Sequence, residues 1–173
     1  MFRRLMFAAA LPIALAACSD GGGGAAGSGL VCVKEPVPEK TPAAAGITDE
    51  KNAAFLADYD AKSGVTKTAS GLRYRVVQAG SGSRSPKVSD TVVAHYRGSF
   101  IDGTMFDASN CAEPAEFPLN ALIKGWQEGI PLMKEGDVYE FAIPYDLAYG
   151  ANGRGPIPPR QTLLFQVELI KIK

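Results

Sequence analysis

The stretch at residues 91–101 constrains this chain more than any other, because its side chains alternate: Val92, Ala94, Tyr96, Gly98 and Phe100 fall on one side, with His95, Arg97 and Ser99 among those on the other. A period of two predicts a strand with one buried face. Asp102-Gly103 then predicts a tight turn, with Met105-Phe106-Asp107 starting the return strand. The same period appears from Gly71, where Leu72, Tyr74 and Val76 alternate with Arg73, Arg75 and Val77, and the turn-rich run 80–86 ends the strand. Residues 117–119 read as a short extended piece, and 138–143 and 162–171 as further strands around a Gly/Pro-rich loop at 145–159. Arg73, Arg75 and Arg97 read as a solvated sheet face. Two segments carry helical spacing instead. Residues 120–130 place Leu122, Trp126 and Ile130 four apart, with Pro131 closing the helix. Residues 47–62 have Thr48 as a cap, Asp49 and Glu50 at the positive end, Gly64 as a stop, and an apolar face of Phe55, Leu56 and Tyr59. Several strands and little helix predict an α+β domain with an antiparallel sheet.

Charge and rare residues exclude several chemistries. Lys+Arg number 18 and Asp+Glu 18, which argues against a nucleic-acid partner, since phosphate binding shows as a basic excess. One His and three dispersed Cys do not make a zinc site, so no metal is expected. No glycine-rich phosphate loop is present. A length of 173 residues allows one ordinary domain with extensions.

The front end reads as an address and a tether. Arg3-Arg4 precede an apolar stretch from Leu5 to Ala17, the anatomy of a secretory signal and too short for a permanent bilayer span. Leu15-Ala16-Ala17-Cys18 resembles a lipobox, after which signal peptidase cuts once the Cys is diacylated. The alternative is an ordinary signal cleaved nearby, with Cys18 uninvolved. Ser19 after the Cys implies, in enterobacterial-type lipoproteins, export to the outer membrane. Gly21-Gly22-Gly23-Gly24, then Pro36, Pro38 and Pro42, predict a flexible linker over 18–46 that holds a domain near the membrane without embedding it. In an oxidising compartment a Cys32–Cys111 disulfide would pin this linker to the domain; two unpaired thiols are the alternative.

Five blocks in order carry a family resemblance. Val93-Ala94-His95-Tyr96-Arg97-Gly98, Asp102-Gly103-Thr104-Met105-Phe106-Asp107, Ile123-Lys124-Gly125-Trp126-Gln127-Glu128-Gly129, Ala148-Tyr149-Gly150, and Ile157-Pro158-Pro159 through Thr162-Leu163-Leu164-Phe165 resemble the successive signatures of FKBP-type peptidyl-prolyl cis-trans isomerases. The stretch from Phe55 through Asp107 is most similar to the bacterial envelope branch that includes the macrophage infectivity potentiator proteins. That branch often dimerises through a long N-terminal helical region, of which only a short helix is read here. The resulting division is 1–17 signal peptide, 18–46 linker, 47–66 short helix and 67–173 isomerase domain.

The resemblance implies a five-stranded antiparallel sheet wrapped around one short helix, with the cleft between them. Its lining would be Tyr96, Phe106, Asp107, Trp126, Tyr149 and Phe165 as catalytic residues, with Phe117, Leu122, Ile123 and Ile157 binding substrate. Trp126 would form the floor, Ile123 would offer its backbone N–H, and Asp107 and Tyr149 would make polar contacts. Three positions depart from the family pattern: Leu122 for Val, Ala108 for Ser, and Gly155-Pro156 for Pro-Gly. The implied activity is rotation about X–Pro bonds in unfolded or partly folded exported proteins, with a macrolide as a candidate inhibitor and no cofactor. A proline-binding holdase with little turnover is the competing function. Taken singly, each aromatic would more often be ordinary core, and His95, on the strand face opposite Tyr96, reads as structural rather than as a general base.

Overall fold

The computed structural model describes residues 31–32 and 47–173. The expected signal, the expected lipidation site Cys18 and most of the expected linker lie outside the described residues. Among the described residues seven strands form one antiparallel sheet: β1 (Val65–Lys67), β2 (Arg73–Gln78), β3 (Thr91–Phe100), β4 (Met105–Ala108), β5 (Ala115–Pro118), β6 (Val138–Ile143) and β7 (Leu163–Ile172). Their order is β1-β2-β6-β7-β3-β4, with β5 also on β3. The C-terminal half of β3 pairs with β4, Gly98 opposite Asp107, and its N-terminal half with β5, Val92 opposite Phe117. These two short strands therefore share one edge, so the five expected positions are present and β1 adds a sixth. β1 escapes a sequence reading because three residues show no periodicity.

Alternation along β7 buries Leu163, Phe165, Val167 and Leu169, after which the phase slips and Ile172 is the next buried residue. The slip is a bulge: Ala94 pairs with Leu169 but Val93 with Lys171, leaving Ile170 unopposed. With Val92, Ala94 and Phe100 from β3 and Phe141 and Ile143 from β6, this face makes the core. Each large side chain so buried is worth roughly 1.5–3 kcal/mol.

The helix expected at 120–130 is broken up. Leu119–Ala121 is a single 3-10 turn, Leu122 and Ile123 are extended, α-helix runs only over Lys124–Gly129, and a second 3-10 turn follows at Ile130–Leu132. The Gln127 side chain holds the break by donating to the carbonyls of Leu122 at 2.7 Å and Asn120 at 3.2 Å. This short helix lies hard against β6, because a Cβ on Gly125 would stand 2.5 Å from Ile143 and one on Gly129 2.6 Å from Phe141. Only glycine permits that approach.

The longer helix is the N-terminal one, Asp49–Asp60, here α1, with the short helix as α2. Thr48 Oγ1 accepts from the Lys51 N–H, as its sequence position suggests. α1 covers the opposite face of the sheet, and this overturns the reading of Arg73 as solvated, while Arg75 is ion-paired and only half covered. Arg73 is buried and donates to both carboxylate oxygens of Asp60, at 2.8 and 3.1 Å. Arg75 and the fully buried Tyr59 donate to one Glu140 oxygen at 3.1 and 2.7 Å. Arg73 meets the acidic end of α1 and is bound rather than hydrated, whereas Arg75 pairs with Glu140 of β6 and keeps 38% of its side chain exposed; Arg97 is exposed. Hydrogen bonds from Arg73 hold the Asp60 carboxyl below the usual range.

Cys32 is disulfide-bonded to Cys111, which sits between β4 and β5. Among the described residues no helix is long and apolar enough to cross a membrane.

Candidate active site

A cavity of about 450 Å³ opens between the sheet and α2. Each element contributes by its local geometry. Tyr96 leaves β3 on the buried face, while Phe106 and Asp107 come from β4 and Phe117 from β5. The break before α2 turns Leu122 and Ile123 toward the opening, and Trp126 follows on the first turn of α2. Tyr149 comes from the 145–161 connection and Phe165 from β7. Nine of the ten lining positions named from the sequence meet here. The tenth, Ile157, is buried in an adjoining recess of about 180 Å³, with Phe106, Asp107 and Tyr149.

Trp126 organises the interior. Its ring meets three others edge to face: Tyr96 at 5.6 Å, Phe117 at 5.9 Å and Phe165 at 5.3 Å between centroids. Phe165 in turn meets Phe106 at 5.6 Å. Such pairs hold rings in orientation, each worth about 0.5–1.5 kcal/mol beyond the area buried. Trp126 is 4% exposed, and its indole N–H has no hydrogen-bond partner among the described residues.

The polar groups sit at the rim. The Tyr96 hydroxyl donates to Asp107 Oδ2 at 2.9 Å, fixing both. Burial, and then the negative charge of Asp107, pushes the Tyr96 phenol up. Burial also raises Tyr149, opposed by the positive charge of Arg154 and reinforced by Asp107. Both phenols are therefore neutral donors at ordinary pH. The Ile123 N–H makes no hydrogen bond among the described residues, whereas its carbonyl starts α2 by accepting from Trp126 and Gln127. His95 stays outside, its Nδ1 3.0 Å from Ser109 Oγ.

Sequence reading missed Arg154, Ala121 and Ala148, which also line the cavity. Arg154 lies in a loop with no periodicity, and its charge at the tip of a Gly/Pro-rich segment was the available signal. Among the described residues no cluster of His, Cys, Asp or Glu could hold a metal ion.

The chain is similar to known proteins. Residues 82–170 match the model of the FKBP-type peptidyl-prolyl cis-trans isomerase family, and residues 30–76 that of the domain amino terminal to it. An FKBP-type peptidyl-prolyl cis-trans isomerase FkpA of Aeromonas hydrophila is 46% identical over 125 residues, covering 72% of this chain and 46% of the relative. An outer membrane protein MIP of Legionella longbeachae is 43% identical over 125 residues, covering 71% and 53%. The crystal structure of FkpA from Escherichia coli superposes with a TM-score of 0.69 at 43% identity, over 72% of this chain and 59% of that one. The chain thus spans about half the length of the relatives it matches.

Proposed function

The chain belongs to the FKBP-type peptidyl-prolyl cis-trans isomerase family, and we propose that its cleft accelerates rotation about X–Pro bonds in exported proteins that are unfolded or partly folded. One observation carries the reading: an aromatic-walled cavity open to solvent, floored by a buried Trp126 that meets the ring edges of Tyr96, Phe117 and Phe165, with Asp107, Tyr149 and Arg154 adding polar groups to its lining.

Rotation about a prolyl amide crosses a barrier of roughly 18–20 kcal/mol set by resonance, and takes tens to hundreds of seconds unaided. No bond breaks, so the reaction asks for no nucleophile. The planar amide is strongly dipolar, whereas the twisted one has lost much of its charge-separated form. A dry aromatic site therefore disfavours the planar state more than the twisted state, and that difference lowers the barrier. The proline ring sits on Trp126, while the Ile123 N–H and the Tyr149 hydroxyl hold flanking carbonyls. Asp107, already bonded to Tyr96, keeps the wall in place as the amide turns.

A protease-free assay of the full chain on a proline tetrapeptide tests this. The expected result is isomerisation well above the buffer rate at catalytic concentration. The cavity volume lies within the range of about 300–1,000 Å³ typical of small-ligand sites, so a macrolide should inhibit stoichiometrically. A chain no faster than buffer overturns the enzymatic reading.

The proposal includes a place. The signal-like 1–17 and Cys18 support a diacylated anchor on the periplasmic side of the cell envelope, at the outer membrane, with residues 18–46 as tether. The name of the Legionella relative supports the same site. Mass spectrometry of the membrane fraction should find the chain beginning at an acylated Cys18; an unmodified soluble form refutes the anchor.

A further inference from the structure

Helix α1 contributes no residue to the cleft, yet it grips the base of the loop that does. The 145–161 connection carries Tyr149, Arg154 and Ile157, and returns to the sheet at Leu163. Against its returning end lies Asn52, a side chain 4% exposed on the face that α1 turns toward the domain. Its Nδ2 donates to the Arg160 carbonyl at 2.9 Å and to the Thr48 carbonyl at 3.0 Å, and its Oδ1 accepts from the Thr162 N–H at 3.0 Å. Both amide protons and the amide oxygen are thus engaged, two of the three bonds crossing more than a hundred residues of sequence.

Arg160 between these contacts is the one non-glycine among the described residues with positive φ, at 55°. Such a conformation persists only where surrounding contacts impose it. Its N–H donates to the Gly150 carbonyl at 3.0 Å, next to Tyr149, and its guanidinium meets Asp49 of α1 at 2.6 Å. A short path of bonded groups therefore runs from Asn52, through the two sides of the Arg160 backbone, to the residue after Tyr149.

We propose that Asn52 is a positioning residue for the cleft, holding Arg160 in its left-handed conformation and through it the Tyr149 wall in a binding-competent arrangement. This rests on the isomerase reading for its consequence but not for its geometry. When the clamp is released, only a fraction of molecules present a formed wall. Substrate must then select that fraction, so KM rises by its reciprocal while kcat, set once the wall is ordered around substrate, is kept.

The test compares full-length wild type, Asn52→Leu and Leu56→Ala, the last shortening a half-buried apolar side chain of the same helix that lines neither cavity. Asn52→Leu should raise KM about fivefold with kcat retained, and amide exchange should quicken at 150–157 but not in β3 or β7. Leu56→Ala should lower thermal stability with KM unchanged. Unchanged KM in folded Asn52→Leu overturns the proposal, as does unchanged exchange at 150–157, or a fall in kcat at constant KM that signals mere loss of folded protein. Should Asn52→Leu not fold, Asn52→Asp keeps the shape and the bond from Thr162 while opposing an oxygen to the Arg160 carbonyl, and the same criteria apply. Exchange needs no turnover: a wild type without isomerase activity sinks the functional reading, while the exchange result still decides whether Asn52 holds the loop.

Discussion

Trp126→Leu is expected to lower kcat/KM on a prolyl tetrapeptide by about two decades while the chain still folds. The indole carries three edge-to-face contacts, to Tyr96, Phe117 and Phe165, so its ring sets the orientation of the walls as well as the floor. Leu fills part of the volume and none of those edges. The stability cost should fall below the roughly 3–5 kcal/mol of a Trp→Ala change in a core, since one side of the ring already faces the cavity. The catalytic cost is larger relative to its source. Water admitted beside the leucine solvates the planar amide again, which removes the difference between planar and twisted states on which the barrier reduction depends. Two decades correspond to about 2.7 kcal/mol of that difference. Far-UV circular dichroism and urea unfolding establish that the variant is folded, and the tetrapeptide assay gives the loss. A folded Trp126→Leu variant with near wild-type turnover would show that the cleft does not work through its floor.

What the sequence made legible divides along physical lines. β3 was readable to within one residue because ten residues of alternation with a buried face leave little freedom in register. The bulge at Ile170 was not, since an unopposed residue in β7 is defined by its partner strand and not by its own neighbours. Four-residue spacing placed Leu122 and Trp126 at the same cleft, although the segment between them is not one helix. The periodicity reported a shared face, while the competing bond from the Gln127 side chain to the Leu122 carbonyl decided the backbone. Arg73 looked solvated because alternation shows which residues share a face and not what covers it. The covering helix was itself read correctly, but its docking rests on Asp60 and Glu140, charges that a search for apolar stripes passes over. Asn52 was missed for the same reason: it occupies the face of Phe55, Leu56 and Tyr59, and amphipathic patterning counts a buried amide as polar. The aromatic lining was legible through ordered blocks, whereas Arg154, in a loop held by turns, had no pattern to betray it.

The largest combined effect is expected from Gly98→Val, and it runs against strand propensity. Valine is favoured in strands and glycine is not, so propensity alone predicts a gain. Gly98 has no positive φ that would demand glycine; what demands it is space. A Cβ there would lie 2.7 Å from Phe106 Cζ and 2.8 Å from Phe165 Cε1, against the two rings that wall the cavity beside Trp126. The backbone cannot retreat, because Gly98 is paired on one side with Asp107 of β4 and on the other with Phe165 of β7. The rings must move instead. Even Gly98→Ala should therefore destabilise by about 1–3 kcal/mol through overpacking, outweighing the roughly 0.4–1 kcal/mol that Gly→Ala gains by restricting the unfolded chain. Valine adds two methyls at the same point, so its destabilisation should exceed that of alanine. Phe165 swung from its place loses its edge contact with Trp126, and Phe106 turned inward occupies the volume a proline ring would take. Turnover should fall by at least about two decades, the rate equivalent of roughly 2.7 kcal/mol. Urea unfolding and the tetrapeptide assay measure the two effects on the same preparations. A Gly98→Val chain as stable and as active as wild type would mean that the rings have room elsewhere, and that their present edge-to-face arrangement is not what shapes the cleft.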